Sequence, residues 1–247
     1  MYLQITTRCN MKCPHCCYSC RPGAGKHMEY AIAIDAINFA LDHTECITIG
    51  GGEPTLHPKF FDILRTCLDS FDYVWMATNG SNIKAMRRLA NIIDGNDYES
   101  FDIENYCTCS KQVERENCDC YPEDTIHQED KLSVALSQDW AHDDIDQWVV
   151  DYWTRRSKHQ YSHFEIRNVF ASSAGATSQG RAKKTGSGTG DHCPCDSIII
   201  KPSGKLKLCG CTNSPTIGDI WQGILPKWQK FMELDRYRDC ECWNKSK

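Results

Sequence analysis

The sequence predicts an α/β fold in which a parallel sheet with crossover helices is followed by a small, cysteine-rich C-terminal segment. Two observations support this prediction. Short apolar, β-branched runs alternate with segments of helical hydrophobic period, which is the pattern of a parallel sheet. The 247 residues also include 17 cysteines, too many and too closely spaced for packed thiols alone. We therefore expect an α/β domain that binds metal through cysteines.

The elements follow one another as β-α units. The predicted strands are Leu3–Thr6, Ile47–Ile49, Tyr73–Ala77, Leu132–Ser137 and His163–Phe170, with Glu99–Ile103 as a candidate sixth. The predicted helices are Met28–Leu41, Pro58–Leu68, Ile83–Ile93 and Ile145–Arg155. In a parallel α/β sheet the active site lies at the C-terminal ends of the strands. We expect it there because polar motifs follow the first three strands.

The later part of the chain has a different character. Residues 98–130 are acidic and poor in aliphatic side chains, which indicates an insertion in a core that spans residues 1–175. Residues 176–192 are rich in Gly and Ser and predict a linker or lid, in which Arg181, Lys183 and Lys184 could meet phosphate. Residues 193–247 form the cysteine-rich segment. Pro202-Ser203-Gly204 predicts a hairpin between two short strands, and Ile217–Phe231 predicts a turn that leads into a helix.

Cys9, Cys13 and Cys16 have the spacing C-x3-C-x2-C. Three thiolates in this arrangement can hold three corners of a four-iron cluster and leave the fourth iron open to a small molecule. A structural zinc knuckle is the alternative, with His15 or Cys17 as the fourth ligand.

Three motifs together closely resemble those of the radical S-adenosylmethionine (radical SAM) superfamily. They are Tyr2–Cys16 (YLQITTRCNMKCPHC), Gly50–Pro54 (GGGEP) and Thr78-Asn79-Gly80. The resemblance implies a partial (β/α)6-type open barrel and a [4Fe-4S] cluster that binds SAM. It also implies that a 5′-deoxyadenosyl radical abstracts a substrate hydrogen, leading to rearrangement or oxidation.

The same resemblance implies roles for individual residues. Glu53 would hold the amino group of SAM, while Gly51 and Gly52 let the backbone approach. His15 would stack on the adenine and Asn79 would lie near SAM. Asp139 and His142 lie just past a predicted strand end, and their position there makes them candidates for polar contacts to SAM or substrate, or for proton transfer. Helix capping and a solvated histidine are the alternatives for these last two residues.

The C-terminal segment resembles the auxiliary-cluster extensions of that superfamily, the SPASM and twitch domains. Its matching positions are Cys193, Gly204, Cys209, Cys240 and Cys242, and Cys195 and Cys211 duplicate two of the ligands. This implies a second, auxiliary [4Fe-4S] cluster, with a zinc site as the alternative. The insertion contains Cys107, Cys109, Cys118 and Cys120, which could hold zinc or a further cluster, or could be free thiols or disulfides.

Two isolated cysteines, Cys46 and Cys67, are expected to be packed thiols because they lie on apolar faces. The net charge of −5 argues against a broadly basic nucleic-acid surface. No run is long enough for a membrane span, so we expect a cytoplasmic protein in a reducing, oxygen-poor environment.

The partners implied by the resemblance are an electron donor such as flavodoxin or ferredoxin and a small-molecule, nucleotide, DNA or peptide substrate. The combination of HCCYSC with LSQDWAH is similar to small, phage-associated members, which implies an isomerase acting on a nucleotide or hypermodified DNA base. The sequence is also compatible with a peptide-modifying maturase and with a non-catalytic iron-sulfur or zinc protein.

Overall fold

The computed structural model describes residues 1–93, 131–137, 145–157, 164–167, 180–185, 197–209 and 214–233. Parallel strands and helices alternate in the first part, and short antiparallel strands follow. The strands are β1 (Tyr2–Thr6), β2 (Cys46–Gly51), β3 (Tyr73–Thr78), β4 (Leu132–Ser137), β5 (Phe164–Arg167), β6 (Ile199–Ile200), β7 (Lys205–Lys207), β8 (Thr216–Asp219) and β9 (Gly223–Ile224). The helices are α1 (Tyr30–Leu41), α2 (Phe60–Ser70), α3 (Ile83–Ile93), α4 (Gln147–Ser157), α5 (Gly180–Thr185) and α6 (Pro226–Glu233).

The described strands form one sheet in the order β5-β4-β3-β2-β1-β6-β7-β8-β9. Strands β1 to β5 are parallel neighbours, which confirms the predicted parallel core. Strand β6 also runs parallel to β1, so a sixth parallel strand lies between β1 and the antiparallel strands. The candidate sixth strand Glu99–Ile103 lies outside the described residues. The partial-barrel closure of this sheet stays a prediction.

One face of the parallel sheet forms the hydrophobic core with the helices. Alternate strand residues such as Leu3, Ile49 and Met76 are fully buried and belong to the same cluster as Ile37 of α1 and Leu64 of α2. Successive side chains of a strand point to opposite faces, so the intervening residues form a second, more polar face. The helix-facing side chains supply most of the apolar burial that stabilises the fold.

The C-terminal strands differ in part from their prediction. Strands β6 and β7 pair in an antiparallel way around the predicted Pro202-Ser203-Gly204 turn. The turn and helix predicted for Ile217–Phe231 are present, but the short strands β8 and β9, which pair in an antiparallel way around the turn before α6 begins, were not predicted. The Asp219 carboxylate accepts from two main-chain N–H groups of this turn, at 3.0 and 2.8 Å, and this closes the hairpin.

Smaller corrections concern helix starts and one cysteine. Helices α1 and α2 each begin two residues later than predicted, at Tyr30 and Phe60. Cys67 is a buried thiol as expected, but Cys46 is exposed because it is the first residue of its strand. Among the described helices, none has the length and apolar character that a membrane crossing requires.

Candidate active site

The loop that leaves β1 carries the three motif cysteines. Cys9, Cys13 and Cys16 are half-buried thiols. Burial raises the pKa of Cys9, and the main-chain N–H of Met11, which donates to the Cys9 sulfur at 3.4 Å, opposes the rise. A hydrogen bond from the Cys20 thiol lowers the pKa of Cys16 to about 6. Because the thiolate is the metal-binding form of cysteine, this loop is chemically suited to hold a metal centre.

Within the described ranges, no three His, Cys, Asp or Glu side chains converge as the ligands of a single metal ion would. A four-iron cluster does not require such convergence, because each cysteine binds a different iron and the sulfurs stand apart. Three thiols on one loop, one of them with a lowered pKa, fit a cluster held by Cys9, Cys13 and Cys16.

The glycine turn after β2 packs against this loop. A Cβ on Gly51 would lie 2.3 Å from the Thr6 carbonyl oxygen, and one on Gly52 would lie 2.1 Å from that of Arg8. The N–H of Gly52 donates to the Thr6 carbonyl at 3.0 Å, and the N–H of Glu53 donates to that of Arg8 at 2.9 Å. These glycines thus let the turn pack closely against the end of β1. The sequence predicts a different role for them, which is to let the backbone approach SAM.

Glu53 is fully buried at this junction, and both of its oxygens accept hydrogen bonds. Oε1 accepts from the Thr55 N–H at 3.1 Å, the Thr55 hydroxyl at 2.6 Å and the Thr78 hydroxyl at 2.8 Å. Oε2 accepts from the Asn79 N–H at 2.7 Å. Burial raises the pKa of Glu53, while these donors oppose the rise. Because each carboxylate oxygen has about two acceptor positions, Oε2, which accepts the Asn79 N–H, retains capacity for a further donor such as an ammonium group.

Asn79 connects the end of β3 to the cysteine loop. Its Nδ2 donates to the Asn10 side chain at 3.2 Å and lies 3.8 Å from the Cys9 sulfur. Its Oδ1 accepts from the N–H and the hydroxyl of Ser81, at 3.0 and 2.6 Å. The third motif is therefore in direct contact with the first, and the ends of β1, β2 and β3 form one polar site.

Arg181, in the short helix α5, also reaches the cysteine loop. Its N–H donates to the Cys16 carbonyl at 3.0 Å. Its guanidinium donates to the carbonyls of Cys13, at 2.7 Å, and Cys20. The sequence suggests a phosphate contact for this arginine. Its hydrogen bonds go to main-chain carbonyls instead, so we do not assign it as a phosphate ligand.

The remaining predicted site residues fall into two groups. His15 is half-buried within the loop, and Cys209 is a buried thiol whose N–H donates to the Ser214 hydroxyl at 3.0 Å. The others lie outside the described residues: Asp139, His142, Cys107, Cys109, Cys118, Cys120, Cys193, Cys195, Cys211, Cys240 and Cys242. The ligands predicted for the auxiliary centre therefore stay predictions.

The sequence did not identify two residues of the site, Thr55 and Thr185. Thr55 binds the Glu53 carboxylate, and its position two residues after Glu53 is the only local signal. Thr185 donates to the Pro14 carbonyl at 3.0 Å, and nothing in the local pattern marks it. Thr78 and Cys20 lie in motifs that the sequence singled out, but their contacts with Glu53 and Cys16 were not predicted.

Residues 3–107 match the sequence model of the Radical SAM superfamily. The superfamily consists of enzymes that use a [4Fe-4S] cluster and SAM. The tungsten-containing aldehyde ferredoxin oxidoreductase cofactor-modifying protein of Pyrococcus furiosus is 31% identical over 97 residues. That match covers 37% of this chain and 27% of the relative, so this chain corresponds to about a quarter of it.

Solved structures resemble the fold as well. BtrN in complex with AdoMet and 2-DOIA superposes with a TM-score of 0.56 at 11% identity, covering 94% of this chain and 85% of BtrN. Streptococcus suis SuiB bound to S-adenosylmethionine gives a TM-score of 0.47 at 11% identity, covering 98% of this chain and 69% of SuiB. At this identity, the likeness to BtrN concerns the fold.

Proposed function

We propose that this protein is a radical SAM enzyme in which Cys9, Cys13 and Cys16 hold a [4Fe-4S] cluster and Glu53 binds the amino group of SAM. The observation that carries the proposal is the direct contact of three motifs at one edge of the sheet, where Asn79 touches both Cys9 and Glu53. When bound, the cluster supplies the electron that cleaves SAM, and the resulting 5′-deoxyadenosyl radical abstracts a hydrogen atom from the substrate.

The chain's own residues position and select SAM. The hydroxyls of Thr55 and Thr78 orient the Glu53 carboxylate, and its buried position strengthens an interaction with an ammonium group. The remaining acceptor capacity of Oε2 supports Glu53 as the ligand of the SAM amino group. We further propose that His15 contacts the adenine, as the superfamily resemblance implies, and that Asp139 contacts SAM, as its position just past a predicted strand end suggests.

The outcome of hydrogen abstraction is either rearrangement or oxidation, and we propose a small-molecule or nucleotide substrate for it. A hypermodified DNA base would make the enzyme an isomerase of DNA modification, whereas a peptide substrate would make it a maturase. The support for a phosphate-bearing substrate is weaker than the sequence suggests, because Arg181 binds main-chain carbonyls. Lys184 is exposed on the same helix and is still available for a phosphate.

We also propose an auxiliary [4Fe-4S] cluster in residues 193–247, with Cys193, Cys209, Cys240 and Cys242 as ligands. The support is the motif resemblance. About eight irons per chain would fit two clusters, whereas about four irons with zinc would favour a single cluster and a structural zinc site. The insertion with Cys107 and Cys120 could add a further zinc. Iron and zinc quantitation of anaerobically reconstituted protein distinguishes these possibilities.

SAM cleavage tests the catalytic proposal. Full-length protein is reconstituted anaerobically with iron and sulfide, reduced with dithionite and given SAM, and 5′-deoxyadenosine is measured. We expect the wild type to form 5′-deoxyadenosine. Cys16→Ala is expected to lose both the cluster absorbance and the product, because it removes a ligand. Cys46→Ala, at an exposed cysteine outside the loop, is the matched control and is expected to behave as the wild type.

Two results would contradict the proposal. A wild-type protein that binds iron but forms no 5′-deoxyadenosine, even with candidate substrates, would favour a non-catalytic iron-sulfur protein. Equal activity of Cys16→Ala and the wild type would exclude the loop as the cluster site. Deuterium transfer into 5′-deoxyadenosine from labelled nucleotides, DNA and peptides then identifies the substrate class. Reduced flavodoxin or ferredoxin in place of dithionite tests the proposed electron donor.

A further inference from the structure

Arg181 joins two parts of the chain that are far apart in sequence. Its guanidinium donates to the carbonyls of Cys13 and Cys20, which precede it by 168 and 161 residues. The two carbonyls lie on either side of Cys16, and the Arg181 N–H binds the Cys16 carbonyl at 3.0 Å. One residue therefore holds the loop at three successive points, and two of them are proposed cluster ligands.

These contacts suit arginine in particular. The guanidinium is a planar fork that cannot lose its charge in a protein, so one side chain can bind two carbonyls in a fixed geometry. Arg181 is half-buried, which reduces the competition from water for these bonds. Lysine would keep the charge but would present a single, flexible ammonium group.

The hydrogen bonds of Arg181 hold its positive charge beside the loop that would carry the proposed iron-sulfur cluster. The charge of such a cluster becomes more negative when it is reduced. A fixed positive charge near such a centre favours its reduced form, and hydrogen bonding and charge around a cluster are known means of setting its potential. A second residue of α5, Thr185, contacts the loop through its hydroxyl, which donates to the Pro14 carbonyl and carries no charge. The geometric and electrostatic effects can thus be separated by substitution.

We propose that Arg181 is a positioning residue for the iron-sulfur cluster, which fixes the shape of the cysteine loop and makes the reduction potential of the cluster less negative. The proposal rests on the proposed function, since it requires a cluster at Cys9, Cys13 and Cys16. It assigns to α5 a structural and redox role at the N-terminal site. The residue does not touch SAM or substrate in this assignment.

The test compares Arg181→Gln, Arg181→Lys and Lys184→Gln in the full-length, reconstituted protein. Lys184→Gln is the matched control, because it removes the same charge from an exposed position of the same helix. The measurements are the reduction potential from a spectroscopic titration without SAM, the loss of cluster absorbance in the presence of an iron chelator, and the thermal unfolding of the metal-free protein.

Arg181→Gln is expected to retain iron about 10–100-fold less tightly, the usual effect of removing a group that orients metal ligands. Its potential is expected to become more negative than that of the wild type. Arg181→Lys is expected to keep a potential close to the wild type while losing iron faster, because it retains the charge but not the fork. Lys184→Gln is expected to match the wild type in all three measurements.

The proposal is overturned if Arg181→Gln has the potential and iron retention of the wild type, or if Lys184→Gln shifts the potential equally. If Arg181→Gln does not fold, Arg181→Lys decides, and wild-type iron retention in that variant overturns the role in loop shape. A wild-type protein that forms no [4Fe-4S] spectrum would overturn the proposed function as well. A wild type with a cluster and unaffected Arg181 variants would overturn this inference alone.

Discussion

The two faces of the parallel sheet differ in the chemistry of their buried side chains. On the helix side Leu3, Ile49 and Met76 are fully buried in the hydrophobic core. On the other face Gln4 and Ser133 are also buried although they are polar. Burying a polar side chain opposes folding unless it is hydrogen-bonded. Ser133 shares a hydrogen bond with the Tyr73 hydroxyl, whereas the Gln4 amide has no partner among the described residues. The helix side therefore stabilises the fold more than the polar face, which adjoins the strand ends of the candidate site.

The largest effect is expected at Glu53, next to the polar face. Glu53→Gln should weaken SAM binding by about 2–5 kcal/mol, because it removes one charge of a buried, hydrogen-bonded pair. Equilibrium binding of SAM to the reconstituted protein measures this. Glu45→Gln, at an exposed position before β2, is the control and should bind as the wild type. Unchanged affinity in Glu53→Gln would show that the carboxylate serves the fold rather than binding.

The pH dependence of SAM binding provides a further check on Glu53. Burial raises the pKa of this carboxyl, so it takes up a proton at a higher pH than an exposed glutamate does. Only the ionised form attracts an ammonium group, and wild-type affinity should therefore fall as the pH is lowered through this raised pKa. The SAM affinity of Glu53→Gln should not fall in this pH range, because glutamine does not ionise. Parallel pH profiles for the two proteins would contradict the assignment.

The opposite face should behave as a structural core. Ile49→Ala is expected to lower the free energy of unfolding by about 2–5 kcal/mol, because it leaves a cavity in a packed interior. Denaturant unfolding of the metal-free protein measures this loss. Thr48→Ala, on the neighbouring half-buried position of the other face, should cost much less. If the two variants are equally destabilised, or if Ile49→Ala retains wild-type stability, the helix-facing side of the sheet is not the more stabilising one.

A substitution at Gln4, on the polar face, is expected to increase stability instead of decreasing it. Within the part of the chain that the structure describes, its Nε2 and Oε1 are buried and have no hydrogen-bond partner. Gln4→Leu should therefore raise the free energy of unfolding by about 1–3 kcal/mol, the cost of an unsatisfied buried polar group. Thermal or denaturant unfolding measures this gain. Gln4→Glu, which buries a charge at the same place, should be less stable than the wild type. A loss of stability in Gln4→Leu would mean that the amide contributes to the fold.

Local patterns in the sequence were sufficient to predict the parallel core and the three motifs of the site. Strands β1 to β5 follow from hydrophobic periodicity, which reports which side chains are buried. The pairing of β6 with β1 could not be predicted, because it joins residues almost 200 positions apart through main-chain hydrogen bonds. The contact of Arg181 with the cysteine loop could not be predicted for the same reason, because it joins residues 168 positions apart. The composition around Arg181 predicted only a linker or lid. Cys46 was wrongly predicted to be packed. An apolar run in the sequence does not show that its first residue is exposed in the fold.

The smallest effect is expected at Thr185, the second contact between α5 and the cysteine loop. Thr185→Val keeps the shape of the side chain but removes the hydroxyl that donates to the Pro14 carbonyl. Thr185 is exposed, and an exposed neutral hydrogen bond contributes only about 0.5 kcal/mol, at the low end of the usual range. The rate of cluster loss to a chelator should therefore rise slightly, and less than in Arg181→Gln. Thr185→Ser, which keeps the donor, should lose its cluster at the wild-type rate. If Thr185→Val were as unstable as Arg181→Gln, the loop would be held by α5 as a whole and not chiefly by the guanidinium.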